Sequence, residues 1–180
     1  MHYLIQKPLI HIAPIDTSCA ADYYNLLHHP KISPFIPLPH LPTSISDSRD
    51  KLQSLVDMPL NEQGIYWGIY HKKRLIGTAG LHTWDAALRR TEISYEIHPD
   101  YASKGIATAA CIYCTLFAKQ HTRITSIHAY TLTDNIPSQR VVLKAGFTDM
   151  GRQKKSCYYH GQLIDRQLFV YTIDNKHAPN

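Results

Sequence analysis

The chain has 180 residues, a formal net charge of +5, 44% hydrophobic residues and 18% charged residues. This length suits a single domain with one core, and the composition excludes a disordered chain. The first residues, MHYLIQKPLIHIAP, lack the apolar core and the cleavage site of a signal peptide. No apolar run reaches the roughly 20 residues that span a bilayer. The sequence therefore predicts a cytoplasmic protein that has no membrane partner.

Cysteine and histidine spacing gives little support for a metal site. Cys111 and Cys114 form a CxxC pair inside an Ala-rich apolar segment. A zinc site needs a second pair of ligands, and the adjacent His28 and His29 have no further histidine at i,i+4 spacing. We therefore expect no metal, and buried free thiols at positions 111 and 114.

Periodicity predicts a first strand and a first helix. The segment PLIHIAPID alternates apolar and polar residues, which is typical of a strand. Thr17 or Ser18 is expected to cap a helix that runs to about His29. The inner face of this helix consists of Tyr23, Leu26 and Leu27.

A proline-rich stretch and a second helix follow. Five prolines fall in the range Pro30–Pro42, and they exclude a regular helix or a central strand there. A loop of this length inside a compact domain is a candidate substrate wall. Ser44 or Ser46 then opens a helix over ISDSRDKLQSLVDM.

Three strands are predicted in the middle of the chain. GIYWGIYH and RLIGTAGLHTW flank the polar turn 71–74, so we expect them to pair. TEISYEIHP alternates most clearly and ends at Pro99. One face of that strand carries Ile93, Tyr95 and Ile97, and the opposite face carries Glu92, Ser94 and Glu96.

The second half of the chain supplies the remaining elements. A glycine-containing loop and a helix of about fifteen residues are predicted over Ala102–Gln120. The strand RITSIHAYTL follows, and then a short helix over Asn135–Ala145 that Gly146 ends. Two strands near Thr148–Tyr159 and Gln162–Ile173 complete a set of about seven strands and four helices.

The segment EIHPDYASKGIATAAC, which joins a strand to a helix, is the strongest candidate for ligand binding. The first N–H groups of a helix have no intrahelical partner, and the helix dipole adds positive charge there. Small residues allow a phosphate to approach those groups; here they are Ala102, Ser103, Gly105, Ala107 and Thr108, with Lys104 adding a charge. The P-loop and Rossmann patterns are both absent from this sequence. The loop is therefore predicted to cradle a pyrophosphate.

HPDYASKGIATAA, followed further along by DNIPSQRVVLKAGF, resembles the GNAT acetyltransferase superfamily. The likeness covers nearly the whole chain and is greatest to the ribosomal-protein N-terminal acetyltransferases of the RimJ and RimL type. The family's phosphate loop has the form Q/R-x-x-G-x-G/A. Ala102-Ser103-Lys104-Gly105-Ile106-Ala107 fits it except at Ala102, where the family has a polar residue.

The resemblance implies an α+β fold, an α/β/α sandwich. Its central sheet is mixed, largely antiparallel and twisted, with about seven strands flanked by about four helices. Residues 1–175 would form one GNAT domain, and residues 176–180 a polar tail. The implied activity is acetyl-CoA-dependent transfer of an acetyl group to a primary amine by direct attack in a ternary complex. The branch favours a protein N-terminal α-amine, whose pKa of about 7.7 to 8.0 makes it easier to deprotonate than a lysine at about 10.4.

Glu92 is the first candidate for the base that deprotonates the amine, since family members often carry a glutamate at the start of this strand. Glu96 projects from the same face, and the two carboxylates together are equally suited to binding a cationic amine. A purely structural alternative is an ion pair between Glu92 and one of Arg89, Arg90 and Arg123 on the sheet surface.

The family also implies groups that serve the thioester. The Ile97 backbone N–H would face the thioester carbonyl, with the pantetheine arm running along the strand. Many members protonate the departing thiolate with a tyrosine at the position of Val142, so that tyrosine is missing here. Ser138 matches a serine that RimL-like members use, and Asn135 caps the same helix and contacts the cofactor arm. The alternative for Ser138 is a helix-stabilising role alone.

Several other possibilities remain open at this stage. The acceptor is either a protein N-terminus or a small amine such as an aminoglycoside, a polyamine or an amino acid. A third possibility is a non-catalytic acyl-CoA sensor. Direct nucleic-acid binding is not expected, because the basic cluster Arg152–Lys155 is short. Arg140 and Lys144 are candidate contacts for adenosine phosphates or a solvated helix face, and the chain is either a monomer or a homodimer.

Overall fold

The computed structural model describes residues 3–5, 10–159 and 161–173. In this part of the chain an eight-stranded sheet is flanked by four α-helices. The strands are β1 (Tyr3–Ile5), β2 (Ile10–Pro14), β3 (Gly64–His71), β4 (Arg74–Asp85), β5 (Arg90–Ile97), β6 (Ser126–Leu132), β7 (Thr148–Tyr159) and β8 (Gln162–Thr172). The helices are α1 (Ala20–Leu27), α2 (Ile45–Asp57), α3 (Ile106–His121) and α4 (Ile136–Lys144). None of these described helices is long and apolar enough to cross a bilayer.

The strand order is β1-β2-β3-β4-β5-β6-β8-β7, and every neighbouring pair is antiparallel except β5 and β6. This architecture confirms the predicted mixed sheet and its four helices. The seven predicted strands are β2 to β8, and the three-residue β1 adds an edge strand beside β2. Part of the first predicted strand (residues 8 and 9) and the predicted tail 176–180 lie outside the described residues.

One helix N-terminus differs from the prediction. Asp16, rather than Thr17 or Ser18, caps the first helical segment: its carboxylate accepts a hydrogen bond from the Ser18 N–H, and a 3-10 turn then leads into α1. An aspartate in extended backbone caps better because its oxygen reaches the N–H two residues on. Helix α3 begins at Ile106 after the loop 102–105, which confirms the predicted loop followed by a helix of about fifteen residues.

Other local predictions are confirmed. Ser44 caps α2 by accepting from the Asp47 N–H at 3.0 Å. Asn135 caps α4, and Gly146 follows that helix with φ of +93°, the left-handed backbone that glycine adopts readily. The proline-rich stretch contains only two single 3-10 turns, Ser33–Phe35 and Leu38–His40.

Two hydrophobic clusters pack on opposite faces of the sheet. One joins the sheet to α3 and α4 and includes Trp67, Ile127 and Phe169, as well as the fully buried free thiols of Cys111 and Cys114. The other joins it to α1 and α2 and includes Leu27, Leu52 and Tyr70. The buried thiols confirm the prediction for the CxxC pair, and the two clusters give the α/β/α layering.

Strands β5 and β6 pair over a short distance only. Their parallel register comprises Arg90 with Ser126, Thr91 with Ile127 and Glu92 with His128. Beyond it, β5 continues to Ile97 against β4, and β6 continues to Leu132 against β8. We call the wedge between residues 93–97 and residues 129–132 the splay. It is the opening around which the candidate site is built.

Candidate active site

Strand β5 divides its side chains between two faces, as predicted. Ile93 is buried, and Tyr95 and Ile97 pack against the cluster that includes α3 and α4; we call this side the α3 face. Glu92, Ser94 and Glu96 lie on the opposite side, the carboxylate face, beside residues of β3 and β4.

Beyond Glu92, the edge of β5 that faces the splay has no partner strand among the described residues. The His98 N–H donates to the Ile76 carbonyl of β4 at 2.7 Å. Because backbone N–H groups alternate between the two edges of a strand, the N–H groups of Ile97 and Tyr95 point away from β4 and into the splay. The Ile97 amide, for which the family resemblance implies a role, therefore lies on this open edge.

The loop that follows β5 is shaped by two residues with positive φ. Ser103 has φ of +59° and Gly105 has φ of +77°. Residues 102–105 are exposed, whereas Ile106 is 2% exposed and anchors the start of α3 in the core. A Cβ added at Gly105 would meet no atom within 4 Å, so the space in front of this glycine is open.

The N-terminus of α3 is open to an anion. The first helical hydrogen bond runs from the Ala109 N–H to the Gly105 carbonyl at 3.0 Å, which leaves the N–H groups of residues 106–108 without an intrahelical partner. Within the described residues no side chain caps this end, and its first turn carries no acidic residue. The Lys104 ammonium folds back onto the loop, 2.7 Å from the Asp100 carbonyl and 5.2 Å from the centre of the Tyr101 ring.

Across the splay, the first turn of α4 meets Tyr95. The Asn135 side chain accepts a hydrogen bond from the Ser138 N–H at 3.2 Å. The Tyr95 hydroxyl lies 2.8 Å from Ser138 Oγ and donates to the Ser138 carbonyl at 3.0 Å. Val142, where family members carry a tyrosine, is fully buried in the core. Arg140 and Lys144 are both exposed on the outer side of α4.

Thr131 adds a buried hydroxyl to the β6 wall. It is 6% exposed, and in strand alternation it shares the face of Ile127 and Ala129, which belong to the α3-side cluster. Its Oγ1 is buried and has no hydrogen-bond partner in the described part of the chain. A buried polar atom without a partner costs free energy, so this hydroxyl is a candidate contact for a ligand in the splay.

On the carboxylate face, Glu92 does not form the structural ion pairs considered above. Arg90 pairs with Asp85 at 3.7 Å, and the Arg89 Nε–H donates to the Arg123 carbonyl at 2.8 Å. Burial raises the pKa of the Glu92 carboxyl, and the nearby Arg166 and Arg90 partly offset that rise. A carboxylate with a raised pKa is a better proton acceptor than an exposed one.

The Glu96 carboxylate, unlike that of Glu92, is held by a hydrogen bond from a neighbouring strand. The Thr78 hydroxyl donates to Glu96 Oε2 at 2.5 Å. Burial raises the pKa of the Glu96 carboxyl, and the hydrogen bond from Thr78 opposes the rise. Glu96 therefore has one carboxylate oxygen already engaged, whereas no described residue donates a hydrogen bond to the Glu92 carboxylate.

Two aromatic side chains that the sequence did not single out complete this face. The Tyr66 hydroxyl lies 2.6 Å from Ser94 Oγ, and its ring crosses β4 directly over Gly80, where a Cβ would come within 2.4 Å of the ring. His82 faces Glu92 in the β4–β5 register, and burial lowers the pKa of its imidazole to about 4. The His82 imidazole is therefore neutral at physiological pH.

A cleft lies beside the β7–β8 hairpin. Its volume is about 470 Å³, and its walls are the end of β6 and the hairpin: Leu132, Thr133, Asp134, Arg152, Tyr159, Ile164 and Asp165. The Tyr159 hydroxyl donates to the Pro34 carbonyl and so links the hairpin to the proline-rich stretch. The proline-rich stretch, a candidate substrate wall in the sequence, therefore contacts the hairpin that borders this cleft.

Comparison with known families agrees with this geometry. Residues 10–148 match the Acetyltransferase (GNAT) domain family, which is well over half of the chain. The chain belongs to the GNAT acetyltransferases. A relative from Bacillus subtilis (strain 168), the uncharacterized N-acetyltransferase YoaA, is 31% identical over 128 residues, covering 70% of this chain and 72% of YoaA.

Solved structures share the fold of this GNAT protein. The ribosomal-protein-S5-alanine acetyltransferase from Vibrio fischeri superimposes with a TM-score of 0.86 at 19% identity, covering 99% of this chain and 100% of that one. The microcin C7 self-immunity acetyltransferase MccE, in complex with acetyl-CoA and AMP, gives a TM-score of 0.81 at 23% identity, covering 91% and 92%. The family match and the relative YoaA show a GNAT-type N-acetyltransferase, and these solved structures show its fold.

The structure brings the predicted residues together in two sets. Ile97, the loop 102–108, Asn135 and Ser138 border the splay on the α3 face, whereas Glu92 lies on the carboxylate face at its apex. No functional signal for Tyr95 or Tyr66 is present in the sequence, since both are simply aromatic members of predicted strands. Their hydroxyl partners lie 43 and 28 residues away in sequence.

Proposed function

We propose that this GNAT protein transfers the acetyl group of acetyl-CoA to the α-amine of a protein N-terminus. The observation that carries the proposal is the juxtaposition of an uncapped helix N-terminus with a splayed strand edge. The N–H groups of residues 106–108 and the Ile97 N–H that faces the splay belong to one continuous segment, residues 97–108. In acetyl-CoA, the pyrophosphate would bind the N–H groups of residues 106–108, and the thioester carbonyl would bind the Ile97 N–H. The neighbour MccE, in complex with acetyl-CoA, supports this assignment.

The cofactor residues that we assign fit such a ligand. The backbone of Ala102–Thr108 is exposed or lies at the helix start, and the open space at Gly105 admits a phosphate. Ala102 offers only its backbone where the family has a polar side chain. Asn135 is held at the start of α4 by its cap, and its amide nitrogen is then directed away from Ser138 N.

Four groups of this chain would divide the chemistry. Glu92 takes the proton of the attacking amine, directly or through one water. The Ile97 N–H stabilises the negative charge that develops on the carbonyl oxygen. Ser138 serves the departing sulfur as its acid, and Glu96 holds the cationic form of the amine near the carboxylate face. An α-amine suits this arrangement because its pKa of about 7.7 to 8.0 leaves an appreciable fraction already deprotonated at neutral pH.

A small amine is the second candidate acceptor. The cleft beside the hairpin has a volume of about 470 Å³, which suits a small molecule. The hydrogen bond between Tyr159 and Pro34 ties one wall of this cleft to the proline-rich stretch.

The cofactor claim is tested by replacing Gly105 with aspartate. Asp and Asn both tolerate positive φ better than other side chains, so Gly105→Asp and Gly105→Asn should fold alike. The aspartate places a negative charge where the pyrophosphate binds, and we expect calorimetric affinity for acetyl-CoA to fall by about 100-fold. The asparagine variant is the matched control and should lose much less. Equal affinity of both variants and the wild type would refute a pyrophosphate site here.

The acceptor is tested by a screen for free thiol release. One arm uses peptides with a free N-terminus, a second uses the same peptides with a blocked N-terminus and an internal lysine, and a third uses small amines. Turnover confined to the first arm supports the proposal. Turnover confined to the third supports a small-molecule enzyme, and acetyl-CoA binding without any turnover supports an acyl-CoA sensor.

A further inference from the structure

Tyr95 and Ser138 form a hydroxyl pair across the splay. Tyr95 leaves β5 on the α3 face, and its oxygen reaches the first turn of α4, 2.8 Å from Ser138 Oγ and 3.0 Å from the Ser138 carbonyl. The ring packs against the core cluster, so the phenol is fixed in place. Burial raises the pKa of the Tyr95 phenol above its ordinary range, which keeps this group protonated.

The position of the pair relates to the tyrosine that α4 lacks. Val142 lies one turn after Ser138, on the same side of the helix. Helical side chains lean toward the N-terminus of their helix, so a long side chain at position 142 would reach toward position 138. In this chain position 142 is a buried valine, and a phenol arrives at the same turn from the opposite wall of the splay.

Hydrogen-bond bookkeeping gives the pair two arrangements. The Tyr95 phenol has one proton, and a carbonyl can only accept. When Tyr95 donates to the Ser138 carbonyl, the Ser138 proton points back to the phenol oxygen. When Tyr95 donates to Ser138 Oγ, the Ser138 proton is released to another acceptor. Rotation of two O–H bonds interconverts these states without moving any heavy atom.

We propose that Tyr95 is a positioning residue that turns the Ser138 proton toward the departing sulfur. This rests on the proposed function. As the C–S bond breaks, its electron pair goes to sulfur and the Ser138 proton moves to it. Tyr95 keeps its own proton and donates a hydrogen bond to Oγ. Solvent then returns a proton to Oγ, and Glu92 releases the proton of the amine to solvent, so that the protons balance. Hydrogen bonds to developing charge are stronger than neutral ones, so the contact gains strength as the proton leaves.

The test is a double-mutant cycle with Tyr95→Phe and Ser138→Ala. Phenylalanine keeps the ring and removes only the hydroxyl. We expect Tyr95→Phe to lower kcat by about 10-fold or more, the scale of one hydrogen bond to a charged group. The double variant should be no slower than Ser138→Ala alone. The calorimetric affinity for CoA should be unchanged in both single variants.

Two results would overturn the proposal. One is an unchanged kcat in Tyr95→Phe; the other is an additive loss in the double variant, which marks Tyr95 as acting apart from Ser138. Tyr24→Phe, on α1, is the control for removing a phenol elsewhere. Urea unfolding of each variant measures the contribution of the Tyr95–Ser138 hydrogen bond to stability. A purely structural hydrogen bond would change stability and leave kcat unchanged. Absence of CoA binding by the wild type would instead defeat the proposed function.

Discussion

The two faces of β5 are constructed in different ways. The α3 face offers backbone N–H groups from one continuous segment, residues 97–108, and the first turn of a single helix. The carboxylate face is assembled from side chains of β3, β4, β5, β6 and β8, with the proline-rich stretch and the hairpin nearby. The first surface depends on local backbone geometry, and the second on contacts between segments distant in sequence. Substitutions should therefore affect the two faces separately.

The largest expected effect is that of Glu92→Gln on turnover. A positioned general base contributes about 10² to 10⁴ in rate, so kcat should fall by a factor in that range. Since burial raises the pKa of Glu92, the wild-type kcat/KM should rise with pH through a value above that of an ordinary glutamate, where the carboxylate forms. The variant should lack this rise while binding acetyl-CoA normally.

Glu96→Gln is the matched control, because it removes a carboxylate two residues along the same face. It should keep the pH rise. If the rise persists in Glu92→Gln and vanishes in Glu96→Gln, the two carboxylates exchange the roles assigned above.

The next largest effect is expected from Gly80→Ala. An added Cβ would lie 2.4 Å from Cγ of Tyr66. Since Cγ is the ring carbon that is bonded to Cβ, moving the far end of the ring does not remove the overlap, and the whole side chain has to move. Overpacking of this kind costs about 1 to 3 kcal/mol of unfolding free energy, measurable in urea. Displacing Tyr66 breaks the hydrogen bond between its hydroxyl and Ser94 Oγ. The KM for the amine should therefore rise, while the affinity for acetyl-CoA stays constant.

Ser94→Ala separates the two causes, because it removes the same hydrogen bond without steric overlap. It should raise KM for the amine with a smaller stability loss than Gly80→Ala. A change of acetyl-CoA affinity in either variant would contradict the independence of the two faces.

The same contrast explains what the sequence predicted. The α3 face was predictable from residues 97–108 because helix N-termini, small residues and strand alternation are local properties. Tyr95 was assigned to the correct face, but its partner Ser138 lies on a different element, and a strand pattern says nothing about which hydroxyl a phenol reaches. Likewise, only the register of three strands shows that Gly80 leaves room for Tyr66 to reach Ser94.

One helix boundary differs from the prediction, and the cause is local. The first cap is Asp16, where a carboxylate in extended backbone competes successfully with the neighbouring hydroxyls. The loop predicted before α3 is present, because Ser103 and Gly105 adopt positive φ and interrupt helical geometry as far as Ile106. The cofactor assignment depends on this exposed loop.

A smaller effect is expected for the pH dependence of stability in Glu96→Gln. The folded pKa of Glu96 is raised by burial, so its contribution to stability is complete below the unfolded value of about 4.3 and is lost as pH rises through the folded pKa. Glutamine cannot ionise. Within that pH window, the free energy of unfolding of the variant should therefore increase relative to that of the wild type by up to about 1.4 kcal/mol per pH unit.

Urea unfolding between pH 4 and pH 8 measures the difference, and Glu62→Gln, an exposed site, is the control. Parallel pH curves for wild type and Glu96→Gln would show that the carboxyl is not desolvated.

The smallest effect concerns Thr131, on the β6 wall of the splay. Valine has nearly the same shape, and it removes a buried hydroxyl that has no partner in the described residues. Thr131→Val should raise the unfolding free energy of the free protein, by about 1 kcal/mol. If the hydroxyl contacts the cofactor, the same substitution should reduce the stabilisation that acetyl-CoA provides. Thr115→Val is the matched control: its hydroxyl donates to the Ile112 carbonyl at 2.8 Å, so its removal should bring no gain. A loss of stability in Thr131→Val would show that the hydroxyl already has a hydrogen-bond partner in the free protein. Thr131 would then offer no unpaired hydroxyl to the ligand.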